Sequence, residues 1–186
     1  MKTVLFLILF LLPCLVFAQK KSIDGFMDIP FGSDSATVKA AVFAKGGVRI
    51  DTLCKKDELS FSNFSMSGRP VYSLNVFFVN NKAYDAFFHF ADTGDNILSY
   101  YDDMVADVKA IYGKPAETDN APGLSNTVKI RKLQSGNIAV KTIWISKNKN
   151  GIVVQIVPLD QYLMLELSYQ DSDLWDLKAA KRRSDL

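Results

Sequence analysis

Between Tyr72 and Phe90 the chain runs through two stretches of strand period, Tyr72–Val79 and Ala83–Phe90, separated by Asn80-Asn81-Lys82. Apolar residues at every second position mark a strand with one buried face. A three-residue loop is a common hairpin length. It opposes Phe78 to Tyr84, Val76 to Ala86, Leu74 to Phe88 and Tyr72 to Phe90, an apolar core face. The reverse face then carries Ser73 with His89, Asn75 with Phe87, and Phe77 with Asp85. Phe77 and Phe87 sit diagonally, within touching distance. A slip of one residue would oppose Val76 to Asp85, so burial fixes the register.

Helical periodicity appears twice. Ser33-Asp34-Ser35 caps a segment with Val38, Ala41 and Val42 on one side, and Gly46-Gly47 ends it. Asp95-Asn96 caps a second, with Ile97, Tyr100, Tyr101, Met104, Val105, Val108 and Ile111 at three- and four-residue spacing; Gly113 and Pro115 stop it. The remaining apolar runs read as strands. Val48, Ile50, Thr52 and Cys54 share one side of a strand. The apolar phase of Leu59–Met66 inverts midway, which a bulge near Ser62-Asn63 reconciles. Asn150-Gly151 signals a type I′ hairpin between Ile143–Ile145 and Ile152–Ile156, with both faces apolar, so Trp144 fits either side. Leu163, Leu165, Leu167 and Tyr169 line one face of the last strand. Asp171-Ser172 caps a short C-terminal helix whose basic last turn, Lys178 to Arg183, suits the helix dipole.

Two fragments recur. Val38-Lys39-Ala40-Ala41 and Val108-Lys109-Ala110-Ile111 lie 70 residues apart, and Ser67-Gly68 and Ser135-Gly136 lie 68 apart, each pair before a strongly apolar strand. Two units of about 70 residues, each a helix followed by three or four antiparallel strands, account for this; chance likeness of short helices is the alternative. The expected class is α+β: two α-β(3-4) repeats forming antiparallel sheet, helices packed on one face, plus a short C-terminal helix. The expected organisation is a leader over 1–18, a linker over 19–28, repeats over 29–94 and 95–170, and a helix and tail over 171–186.

The leader expectation comes from the N-terminus. One Lys, an apolar run from Val4 to Phe17 and small residues ending at Ala18 have the order of a cleaved signal peptide. The run is short of the ~20 residues a membrane span needs. A lipid anchor on Cys14 is the rival, but Leu11-Leu12-Pro13 lacks the small residues that usually precede a lipidated Cys. Export places the mature chain in the periplasm or outside the cell, with no stable membrane span. Only Cys54 of the two cysteines then remains, so no disulfide forms within the mature chain. Of the 186 residues, 22 are Lys or Arg and 20 are Asp or Glu. That balance argues against nucleic acid as a partner, and one His without metal-spaced cysteines argues against a metal or other cofactor.

Catalytic motifs are scarce. The chain has no GxSxG, HExxH, Walker or GxGxxG pattern. Ser73, His89 and Asp85 supply the residue types of a hydrolytic triad, but residues 85 and 89 on one strand stand roughly 13 Å apart. Cys54 reads as a small buried hydrophobe. Asp102, Asp103 and Asp107 read as a solvated helix face, Asn63-Phe64-Ser65 as a formal sequon, and Lys181-Arg182-Arg183 as a solvated helix end.

The leader ending in Phe17-Ala18-Gln19, the order Ile29-Pro30-Phe31-Gly32, capped helix, Gly46-Gly47 and strands, and the later Tyr112-Gly113-Lys114-Pro115 resemble small uncharacterised exported proteins of Bacteroidetes. Over Ile29 to Tyr169 the pattern is also similar to the tandem helix-plus-sheet repeats of the beta-lactamase inhibitor protein and of outer-membrane assembly lipoprotein modules. The resemblance implies a tandem-repeat α+β fold and a binding role. It carries over no functional residue, and the inhibitor's repeats are disulfide-stapled whereas this chain lacks a cysteine pair. The expected function is therefore a non-enzymatic module that binds a protein of the cell envelope through a sheet face. Phe77, Phe87, Asn75, Asp85 and His89 are its candidate contact residues. A carrier of a small apolar ligand in a sheet–helix pocket is the alternative, prompted by the density of Phe and Tyr.

Overall fold

The structure is a computed structural model that describes residues 21–91, 96–159 and 162–184. The expected leader, Met1–Ala18, lies outside them, as does Asp95 of the expected helix cap. A small hairpin of β1 (Gly25–Phe26) and β2 (Ile29–Pro30) comes first and buries Ile23, Phe26 and Ile29 in the core. Helix α1 (Ser35–Ala44) follows, with Asp34 as its N-cap: Oδ1 accepts from the Thr37 N–H at 2.7 Å.

Then come β3 (Val48–Arg49), β4 (Glu58–Ser62), β5 (Phe64–Met66), β6 (Arg69–Val71), β7 (Ser73–Val79) and β8 (Lys82–Ala91). The second half holds α2 (Ile97–Tyr112), β9 (Glu117–Asp119), α3 (Asn126–Gln134), β10 (Val140–Ile145), β11 (Gly151–Leu159), β12 (Tyr162–Gln170) and α4 (Ser172–Ser184). The class is α+β, with antiparallel sheets and a C-terminal helix. Eight strands form one sheet in the order β3-β4-β7-β8-β12-β11-β10-β9. Both halves lay their strands from an outer edge inward, and β8 meets β12 at the centre.

The face that carries Leu74, Phe88, Leu167 and Val154 is covered by α1 and α2 and forms the core. Alternation puts those side chains on one side, and burying a large apolar side chain contributes roughly 1.5–3 kcal/mol. Tyr101 of α2 shares a 2.7 Å hydrogen bond with Thr142 of β10, which satisfies two buried hydroxyls. Trp144, open to either side on sequence grounds, takes the core face and donates its indole N–H to the Gly113 carbonyl at 2.8 Å.

The β7–β8 register matches the sequence expectation from Ser73↔His89 through Phe77↔Asp85. Beyond that the structure differs. Asn80 and Asn81 both adopt positive φ (50° and 58°) and form a two-residue turn instead of a three-residue loop. The extra residue is absorbed as a bulge at Tyr84, so Phe78 faces Ala83. Tyr72 lies outside the strand and is 60% exposed, not a core residue.

Other local expectations also change. The segment around Cys54 is not one strand, because β3 ends at Arg49 and Asp51–Leu53 form a 3-10 turn. At Asn63 (φ 64°) the chain breaks away from β4 and pairs β5 with β6 in a separate sheet, rather than bulging within one strand. Asn150 is not the apex of a tight hairpin, since Ile145 pairs with Gly151 and residues 146–150 form the loop. The side chain of Asn150 is buried instead. Its Nδ2 donates to the Ile23 carbonyl at 2.9 Å and its Oδ1 accepts from the Ser172 N–H at 3.0 Å.

Candidate binding face of the sheet

Opposite α1 and α2, three rows of side chains cross the sheet in register. The first runs Glu58, Phe77, Asp85, Gln170, Gly151, Ile145. The second runs Ser60, Asn75, Phe87, Ser168, Val153, Ile143. The third runs Ser73, His89, Glu166, Gln155, Lys141. All five residues expected to form the contact surface stand together here. The Phe77 and Phe87 rings meet edge to face, with centroids 5.6 Å apart and planes at 88°. Both rings, Asn75 and His89 are half-buried, whereas Asp85 is buried.

The third row is a hydrogen-bonded array. Ser73 Oγ lies 3.0 Å from His89 Nδ1, and His89 Nε2 lies 3.0 Å from Glu166 Oε2. Gln155 Nε2 donates to Glu166 Oε1 at 2.6 Å. A neutral His89 with its proton on Nε2 donates to the carboxylate and accepts from the Ser73 hydroxyl. The acid that reaches His89 is thus Glu166, from another strand, and not Asp85. The array lies flat on the sheet and holds its side chains in fixed positions. In the second row, Ser60 donates to Asn75 Oδ1 at 2.9 Å.

Sequence reasoning missed Glu166, Gln155, Val153 and Ile143 as members of this face. Their strand alternation was readable, but the pairing of β8 with β12 links residues 77 positions apart and leaves no local signal. It also missed Tyr84, whose place on this face follows from the bulge. The Tyr84 ring packs on Trp175 of α4 at 5.9 Å, and α4 lies against β7 and β8. The Asp171 N–H donates to the Tyr84 carbonyl at 2.8 Å, fixing the start of that helix.

Asp85 sits where α4, β7 and β8 converge. It is 2% exposed, and burial pushes its carboxyl up to about 7. Gln170 and the Ala86 N–H donate to it and pull the other way, while Glu166 adds to the upward push. Its Oδ1 has no hydrogen-bond partner.

Elsewhere, Arg69 pairs with Asp107 at 2.6 Å and stacks over the Tyr100 ring, which accounts for one carboxylate of the acidic helix face. Cys54 is half-buried, with its Sγ 3.5 Å from Arg49 Nε and 3.4 Å from the Ser60 N–H. A cleft of about 480 Å³ between the α2 C-terminus and the β10–β11 loop is lined by Lys21, Lys114 and Lys147 together with Ile23, Tyr112, Trp144 and Ile145. No group of three His, Cys, Asp or Glu placed to hold a metal occurs among the described residues. No helix among them is long and apolar enough to cross a membrane. No protein-family model, curated protein or solved structure matches the chain, so the side chains of this face carry the functional reading by themselves.

Proposed function

We propose that the chain is an exported, non-enzymatic binding module that contacts another protein of the cell envelope through the sheet face opposite α1 and α2. The observation that carries this reading is the half-buried Phe77–Phe87 pair, flanked by polar side chains that are already hydrogen-bonded within their own rows. An aromatic centre within a polar rim is the composition of a protein interface. Side chains held in place before binding lose little rotamer entropy when a partner arrives. The export part rests on the order of charge, apolar run and small residues over Met1–Ala18.

A photoreactive benzoylphenylalanine placed at position 87 in the native host tests the proposal. One discrete adduct is expected there, and none with the same group at exposed Ala106 on α2. Phe77→Ser should remove the adduct while shifting the melting temperature by less than roughly 5 °C. Equal adducts at positions 87 and 106 would reject the face. So would a collapse in stability of Phe77→Ser, which would make the ring a core element. Mass spectrometry of the mature chain should find Gln19 first; an intact Met1 or a lipid-modified Cys14 would reject cleavage at Ala18.

A further inference from the structure

We propose that the Asp85 end of this face receives a lysine or arginine side chain from the partner protein, and that α4 is the cover this side chain displaces. The inference rests on the sheet-face reading and names the chemistry of its occupant. It starts from one unpartnered oxygen of an otherwise hydrogen-bonded carboxyl. Asp85 Oδ1 is the only buried side-chain oxygen or nitrogen without a hydrogen-bond partner among the described residues, and no ion pair there engages Asp85. A buried carboxylate oxygen without a donor is costly, and a cation supplies both that donor and the opposite charge.

The surroundings fit such a cation. Phe77 stands directly across from Asp85, and Phe87 is the next residue of β8 on the same face. Tyr84 precedes Asp85 on β8, so the sheet itself brings three rings, Phe77, Tyr84 and Phe87, to this end, and Trp175 of α4 packs on Tyr84. Ring faces combined with a carboxylate are suited to alkylammonium and guanidinium groups. The charge around this end has the matching sign. Glu58 lies in the same row, Asp57 precedes it, and Glu166 faces out from β12. Against them stand Lys55 and Lys56, which precede Asp57, Lys82 at the start of β8, and Lys178 of α4, while His89 is already bonded to Glu166; the carboxylates still outnumber these cations. Asp171 at the start of α4, with Asp173 and Asp176 within it, is also acidic.

The cover is weakly held. Helix α4 has no fully buried residue, and Trp175 and Leu177 are largely exposed. By contrast, α2 buries Ile97, Leu98, Tyr101, Met104 and Val108. Peeling α4 from β7 and β8 would uncover Tyr84 and Asp85 but leave the core closed, whereas peeling α2 would open the core.

Hexalysine amide is a direct probe, with hexaglutamate as its control, added to the full mature chain and followed by NMR. The lysine peptide should shift the amides of Phe77, Asp85, Phe87 and Gln170 and accelerate hydrogen exchange along α4. Asp85→Asn keeps the shape and removes the charge, and should weaken binding at least tenfold. Trp175→Ala loosens the cover and should tighten binding several-fold. Equal affinity for Asp85→Asn and the parent, or unchanged α4 exchange in the presence of peptide, would overturn the inference. An adduct at position 87 that persists undiminished in Asp85→Asn would overturn it while leaving the sheet-face reading intact. An adduct absent from the parent as well would remove both.

Discussion

Burial raises the Asp85 carboxyl to about 7, so the folded chain binds this proton across a pH range in which the unfolded chain has released it. The contribution to stability follows in sign. It is fully present below the unfolded value of roughly 4, declines as pH rises, and is lost above the folded value. Asp85→Asn, which resembles the protonated acid, should match the parent near pH 4. It should become the more stable protein by about 2–4 kcal/mol at pH 8. Urea midpoints of the two proteins across that range check this. A difference that stays flat with pH would mean that the Asp85 carboxyl titrates alike in the folded and unfolded chains. The burial of Asp85 was not visible in its own strand. Alternation puts it on the outward side together with Asn75 and His89, and only the bulge at Tyr84 and the arrival of α4 enclose it.

At the level of elements, the β7–β8 hairpin separates core from face most sharply. Leu74 and Phe88 are opposed and fully buried, so truncating either to Ala should cost roughly 2–5 kcal/mol. Asn75 lies on the opposite side, but its Oδ1 is the acceptor for the fully buried Ser60 hydroxyl. Asn75→Ala should therefore cost about 1 kcal/mol, more than a free surface position, because it strands that hydroxyl. Denaturation midpoints that rank Asn75→Ala with Leu74→Ala would contradict the register. This hairpin was legible because alternation and burial agreed over its whole length. Helix α3 was not, since Asn126–Gln134 is mostly polar and buries only Leu133. The separate β5–β6 sheet was hidden for another reason. The positive φ of Asn63, a single backbone choice, redirects a stretch whose apolar pattern reads equally well as one bulged strand. Ile111 kept the helical spacing of α2 yet ends up exposed, while its neighbour Tyr112 is the residue that packs against the core.

Across the whole molecule, the two halves share one sheet, and the β8–β12 pairing joins them from Asp85↔Gln170 to His89↔Glu166 and beyond. Unfolding either half would strip the other of its central neighbour. Calorimetry should accordingly show a single transition with equal calorimetric and van't Hoff enthalpies. Two resolved transitions would show that each half stands alone. The candidate face obeys the same geometry: Phe77, Phe87 and His89 come from one half, Glu166, Gln155 and Val153 from the other, and neither half holds the three rows by itself.

Strand β12 is synthesised after every other described strand of the sheet, yet it occupies the middle, between β8 and β11. Until residues 162–170 have emerged, a nascent chain carries two partial sheets, each with a bare inner edge. One is β8, ten residues long, and the other is β11, nine residues long. Long unpaired edges readily recruit strands from neighbouring chains. The finished sheet instead ends at β3 and β9, two and three residues long, where Arg49, Glu117 and Asp119 discourage such pairing. Pairing of residues 162–170 thus turns a chain with two adhesive edges into one with two blunt ones, so the hazard of self-association is confined to the interval before β12 docks.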